Sequence, residues 1–191
     1  LSTQYWSAPL IFLLDTLFSL YIFCLLLRFL FQWCGADYQN PLSQFLIRMT
    51  HPPLSLLRRF IPAMGRVDSS ALVLILLLQM LEGFLIFLIQ GGIPSFSVLS
   101  IWSITQLIEL TLNIYFYAII IRALLSWVGP SVYNPAISLL FSLTEPVMAT
   151  SRRLLPITGG IDLSPIVVIM AIQLIRMLIL PPLQNLALVL N

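Results

Sequence analysis

Lysine is absent, and charge of either sign is scarce: nine arginines, seven acids and one histidine in 191 residues make 8% charged side chains, against roughly 25% in an ordinary soluble domain. A charged, water-facing surface cannot be built from so few. The net charge of +2 is also too small to point to nucleic acid. Two cysteines, Cys24 and Cys34, form neither a CxxC pair nor an evenly spaced framework, which excludes a disulfide-stapled secreted fold and reads as buried free thiols. The lone His51 and the lack of a CxxCH sequence exclude covalent haem attachment and leave no zinc set. Gly91-Gly92 lacks the following Lys-Ser/Thr of a phosphate loop. With no grouped nucleophile, base and orienting residue, the chain reads as non-enzymatic and without a cofactor.

What is abundant is apolar: 60% of the residues are hydrophobic. About 20 apolar residues cross the roughly 30 Å hydrocarbon core as a helix, and four runs qualify, at about 10–34, 70–89, 107–128 and 164–180. The first lacks a basic leader and a small-residue cleavage site, so it is expected to be a retained span rather than a signal peptide. The stretch 99–106 is expected to start in the interface, with Trp102 at headgroup level, and Pro181-Pro182 to end the fourth span.

Between spans one and two lies NPLSQFLIRMTHPPLSLLRRFIPAMGRVDSS, residues 40–70. Asn40 is an N-cap candidate followed by proline at the first helical position. Leu42, Phe45, Leu46 and Met49 fall on one helical stripe, opposite Ser43, Gln44 and Arg48. The segment is too short to span, so it is expected to lie in or re-enter the interface. His51-Pro52-Pro53 is expected to stop it, a second short piece running from Leu54 to Ile61. Asp68 then caps span two.

The same unit returns at 134–164. Arg122 less Arg28, Asn134 less Asn40 and Gln173 less Gln79 each give 94, and the offset also pairs Thr50 with Thr144, Pro52 with Pro146, Arg58-Arg59 with Arg152-Arg153, and Asp68 with Asp162. Matching turn and charge residues, not merely leucines, establish an internal repeat, 1–94 and 95–191. Each half holds two spans, so the halves are parallel repeats and both connecting units share one face. Arg48, Arg58, Arg59, Arg66, Arg152 and Arg153 lie there, whereas residues 1–9, 91–98 and 181–191 have no basic side chain. The positive-inside rule places 35–69 and 129–163 in the cytoplasm and both termini outside.

The pattern W-x6-N-P, T-x-P, R-R-x-x-P and G-x-x-D-x-S before a span, present twice between residues 10 and 182, resembles the YggT family, also called YlmG, of bacterial inner-membrane proteins with relatives in cyanobacteria and chloroplasts. The resemblance implies an all-α fold of four spans, with short amphipathic interfacial helices inside each repeat. Relatives are associated with cell division or nucleoid organisation, assembly of a haem-bearing cytochrome and osmotic tolerance. It implies no catalytic residue.

Two constellations remain as candidate sites. The arginines 58, 59, 152 and 153, joined by Arg48 and Arg66, form a surface for anionic lipid or an acidic partner, each basic group contributing roughly 1 kcal/mol near an anionic surface, or serve only to set topology. Ionisable groups inside spans are costly and so paired or functional: Asp15, Arg28, Glu82, Glu109, Arg122 and Arg176. Glu82 and Arg176 lie 12 residues after their serines, about 18 Å deep, and are expected to pair with each other. Asn40, Asn134, Asp68 and Asp162 are the expected caps. The preferred function is a membrane scaffold or assembly factor binding lipid and another membrane protein or a second copy. The alternative is an oligomeric channel or transport-related protein that uses the acids.

Overall fold

The computed structural model describes residues 3–61, 67–128, 134–154 and 162–189. Six helices follow one another: α1 (Thr3–Cys34), α2 (Pro41–Leu57), α3 (Ser69–Ile89), α4 (Phe96–Val128), α5 (Pro135–Leu154) and α6 (Ser164–Val189). Segments Trp6–Cys34, Ser69–Ile89, Phe96–Ser126 and Ser164–Ala187 are long and apolar enough to cross a membrane; even the 21 residues of α3 reach about 32 Å. The chain is therefore a multi-pass, four-span α-helical membrane protein of two three-helix repeats, α1–α3 and α4–α6. The connecting helices α2 and α5 sit together at one end, the basic end, where Asn40 Nδ2 donates to the Pro135 carbonyl at 2.8 Å.

Glycine ends α1 and α3 where the backbone turns left-handed. Gly35 (φ 68°) and Gly91 (φ 86°) let the next N–H groups reach back, Ala36 to the Phe31 carbonyl and Gly92 to that of Phe87, both at 2.9 Å, satisfying carbonyls that a helix end leaves open. The core lies toward the basic end. Ile22, Leu25, Leu26 and Leu30 of α1 meet Ala71, Leu74 and Ile75 of α3 and Ile114 and Ala118 of α4, closed beneath by Leu54 and Leu143. A smaller cluster joins Ile119, Met148, Val168 and Ile172.

Four expectations from the sequence are corrected. Pro52-Pro53 does not stop α2, which runs on to Leu57. Pro53 has no N–H for the Met49 carbonyl, and that carbonyl instead faces the Tyr21 hydroxyl at 3.5 Å. Likewise α6 continues past Pro181-Pro182 to Val189, and α4 is one helix from Phe96 rather than a span beginning at 107. Prolines are tolerated in spanning helices when neighbouring structure absorbs the freed carbonyls. The face that α2 buries is Ser43, Leu46, Thr50 and Leu54; of the predicted stripe only Leu46 is buried, Leu42, Phe45 and Met49 staying exposed, and Ser43 turns inward rather than away.

The two repeats meet unequally. α3 packs on α4 and α1 on α5, while the counterpart pairs, α6 with α1 and α4 with α2, have no comparable packing among the described residues. A two-fold contact would form both members of each pair, so the inter-repeat contact is heterologous.

Candidate functional site

In each repeat a buried arginine on the first span holds the connecting helix by its threonine. Arg28 Nη1 donates to Thr50 Oγ1 at 2.6 Å and to the Ile47 carbonyl at 3.5 Å. Arg122 Nη1 does the same to Thr144 Oγ1 at 2.8 Å and the Phe141 carbonyl at 3.5 Å. Both arginines and both threonines are buried. Each hydroxyl donates to the carbonyl four residues back, Leu46 or Leu140, which leaves its lone pairs free to accept the guanidinium N–H. The copies differ in what else they offer. Arg122 also binds Glu145 at 2.6 Å and stacks over the Phe141 ring, 4.5 Å from its centroid. In the first copy the position of Glu145 is held by His51, which is exposed, and no carboxylate pairs with Arg28 among the described residues. These arginines were expected to form intramembrane ion pairs. Arg28 instead donates to a hydroxyl and a carbonyl, and the acid that Arg122 binds sits on the connecting helix.

The caps form a second layer. Asn40 and Asn134 accept from the N–H groups of Leu42 and Ala136 at 3.0 and 2.9 Å, and Asp162 from that of Ser164 at 2.9 Å. Asp68 accepts from Ser70 Oγ at 2.6 Å and the Ala71 N–H at 3.3 Å. Each aspartate is also held by the first arginine of its pair: Arg58 binds Asp68 and Arg152 Nε binds Asp162 at 3.3 Å, with Arg152 Nη1 reaching Glu145 at 3.1 Å. The six-arginine surface is therefore smaller than the sequence implied. Arg58 and Arg152 are occupied inside the fold, Arg48, Arg59 and Arg153 are exposed, and Arg66 lies outside the described residues.

Burial pushes both aspartates up, but their hydrogen bonds and arginines outweigh it and hold each below the usual carboxylate range. A carboxyl depressed in the folded state stabilises the fold above its unfolded pKa, near 3.9, and loses that contribution as pH falls through the lower folded value. Arg58→Ala strands the fully buried Asp68 side chain and is expected to cost about 2 kcal/mol, below the usual range for a broken buried pair because Arg58 itself is partly solvated. The unfolding midpoint in detergent should drop at neutral pH, and the part of the acid sensitivity below about pH 4 that Asp68 supplies should shrink to what the Ser70 and Ala71 hydrogen bonds sustain.

Between the repeats, at the basic end, an apolar groove of about 630 Å³ opens between α1 and α4 over α2 and α5. Equivalent residues face each other across it: Phe23 and Tyr117, Leu27 and Ile121, Phe45 and Leu139. Toward the opposite end it meets a polar cavity of about 260 Å³ at Leu110 and Asn113. Asp15, Glu82 and Glu109 line this cavity, with Ser19, Gln79, Gln106 and Asn113. No ion pair reaches these acids among the described residues.

Glu82 and Arg176 do not pair. Glu82 accepts from Gln79 Nε2 at 2.6 Å and Ser19 Oγ at 3.4 Å, whereas Arg176 binds Asn113 Oδ1 and lies over Phe116. Both contacts span 63 residues, so each is the within-repeat counterpart of the other. The helices turn Glu82 and Arg176 apart: α3 packs on α1, α4 and α2, while α6 packs on α4 and α5. Sequence reading also missed Thr50 and Thr144 as partners. Their separation of 22 from Arg28 and Arg122, repeated in both halves, was the available signal.

The family model described as CCB3/YggT matches residues 7–89 and 101–183, one match per repeat. An uncharacterized protein of Pseudomonas aeruginosa is 46% identical over 172 residues, 89% of this chain and 87% of its own length. The uncharacterized protein YggT of Escherichia coli K12 is 35% identical over 168 residues, 88% and 87% of the two chains. A Vibrio alginolyticus protein is 37% identical over 164 residues, 85% and 88%. No solved structure matches.

Proposed function

The chain belongs to the CCB3/YggT family, and from that footing we propose that it is a non-enzymatic inner-membrane scaffold or assembly factor, holding anionic lipid and a membrane-protein partner at its cytoplasmic side. The observation that carries this reading is the groove: apolar but for Asn113 and Tyr117 and floored by α2 and α5, at the same end as the exposed Arg48, Arg59 and Arg153. An acyl chain fits the groove by the same apolar chemistry that lines it, and a phosphate headgroup fits guanidinium donors. The arginine–threonine contacts tie the floor helices to the first span of each repeat, and a floor already in place lowers the ordering cost of binding. On this reading α2 and α5 lie in the cytoplasmic interface, and the termini are outside.

Replacing Arg48, Arg59 and Arg153 by glutamine tests it, because all three are exposed and no ion pair is lost among the described residues. Retained anionic phospholipid and co-purified partner should both fall while the variant still inserts. Unchanged lipid and partner recovery in a correctly inserted variant would end the reading. The polar cavity supports a second reading, a cation-conducting or transport-related protein using Asp15, Glu82 and Glu109, since oxygen-only ligands inside a span suit hard cations or protons. Its test is flux into proteoliposomes: a cation or proton current abolished by Glu109→Gln supports it, and no current from the wild type ends it.

A further inference from the structure

The heterologous contact between the repeats leaves two faces without their counterpart: α1 lacks what α3 gives α4, and α6 lacks what α4 gives α3. We propose that these faces meet between two copies of the chain, α6 of one packing on α1 of the other as α3 packs on α4, with Arg176 paired to Asp15 of the second copy.

The offset of 94 carries the central pair of the internal contact onto the counterpart faces. Within the chain, Gly83 of α3 lies so close to Trp102 that an added Cβ would stand 2.6 Å from its ring, and Phe87 meets the same ring edge-on, centroids 6.4 Å apart. In the counterpart, Gly83 becomes Met177 and Trp102 becomes Ala8. The large and small residues change sides, so the filled space is kept. Met177 is 68% exposed, and Ala8 is exposed too.

The charges translate as well. α3 presents Gln79 and Glu82 to the cavity that α4 lines with Gln106 and Glu109. α6 presents Gln173 and Arg176 at the same positions, and α1 answers with Phe12 and Asp15. Asp15 is exposed well inside the first span, nine residues from Trp6, about 13 Å of helix. A carboxylate there is costly unless matched, and the two acids beside it in the cavity supply no cation. Arg176 is half-buried, donates to Asn113 and lies over Phe116, and no carboxylate pairs with it among the described residues. Each side thus carries the charge the other lacks. Head-to-tail contacts close when the last copy meets the first, and two copies already use every such face in a closed dimer.

The test starts from protein with Cys24 and Cys34 replaced by alanine. Ala8→Cys and Met177→Cys chains, differently tagged, are co-expressed and oxidised in membranes. A disulfide joining the two tags is expected, and none between like-tagged chains. Asp15→Arg alone and Arg176→Asp alone should each reduce the dimer fraction in lipid nanodiscs, and the double swap should restore it, which a merely misfolded single variant cannot explain. A monomer in native-lipid nanodiscs, like-tagged cross-links, a different protein seated on α1, or a double swap no better than the singles would each overturn the proposal.

Discussion

Thr50→Val is expected to lower the unfolding free energy by about 3 kcal/mol, and Thr144→Val by roughly half as much, although the two residues are equivalent in the repeat. Valine keeps the shape of threonine and removes the hydroxyl, taking the acceptor for the arginine in each copy and, equally in both, the hydrogen bond donated to the carbonyl four residues back. In the first copy this takes the 2.6 Å hydrogen bond from Arg28 and leaves the buried guanidinium with a single carbonyl at 3.5 Å. In the second copy Arg122 keeps Glu145 at 2.6 Å and the Phe141 ring. A stranded buried charge is penalised more than a hydrogen bond is worth, so the copy without an anion suffers more. Denaturation in mixed micelles followed by tryptophan fluorescence gives both values. Equal losses would mean that the guanidinium of Arg28 reaches water.

Gly83→Met should separate the two repeats. The first added atom would already stand 2.6 and 2.7 Å from two carbons of the Trp102 ring and 3.0 Å from Leu99 Cδ1, and Phe87 at the ring edge limits its retreat. Overpacking of this kind costs about 3 kcal/mol. The double variant Gly83→Met with Trp102→Ala reproduces the residues found at 177 and 8 and should recover most of the loss. If the double variant is worse than Gly83→Met alone, the large-for-small exchange does not hold at this contact, and Met177 does not pack on Ala8 of a second copy as Gly83 packs on Trp102. The cycle of unfolding free energies isolates that coupling.

The spans and the duplication could be read from the sequence because both rest on local signals. Apolar length sets the spans, and the constant offset of 94 carries Asn40 onto Asn134 and Asp68 onto Asp162. Their cap geometry is likewise local, each side-chain oxygen reaching an N–H two or three residues on. What failed depended on neighbours. Proline is a helix stop by propensity, but at Pro53 the carbonyl it frees is met by Tyr21 from another helix, and nothing within residues 50–54 announces that. The depth of Glu82 and Arg176 followed from rise per residue, yet depth says nothing of azimuth, and each turned toward its own repeat. The arginine pairs looked like one surface because their spacing to the caps, ten residues from Arg58 to Asp68 and from Arg152 to Asp162, was not used. That spacing joins one member of each pair to the aspartate, and the second member stays outside. Gly83 carried no signal, since its role exists only against Trp102.

The most direct test of the proposed function is native mass spectrometry of the protein released from its own membrane, wild type beside the groove-filling variants Ile121→Trp and Ala136→Phe, both at exposed positions of the groove wall. Bound anionic phospholipid should survive release from the wild type and be lost from both variants while their unfolding midpoints stay put. Equal phospholipid on all three, or none on the wild type, would contradict a lipid-holding groove between the repeats.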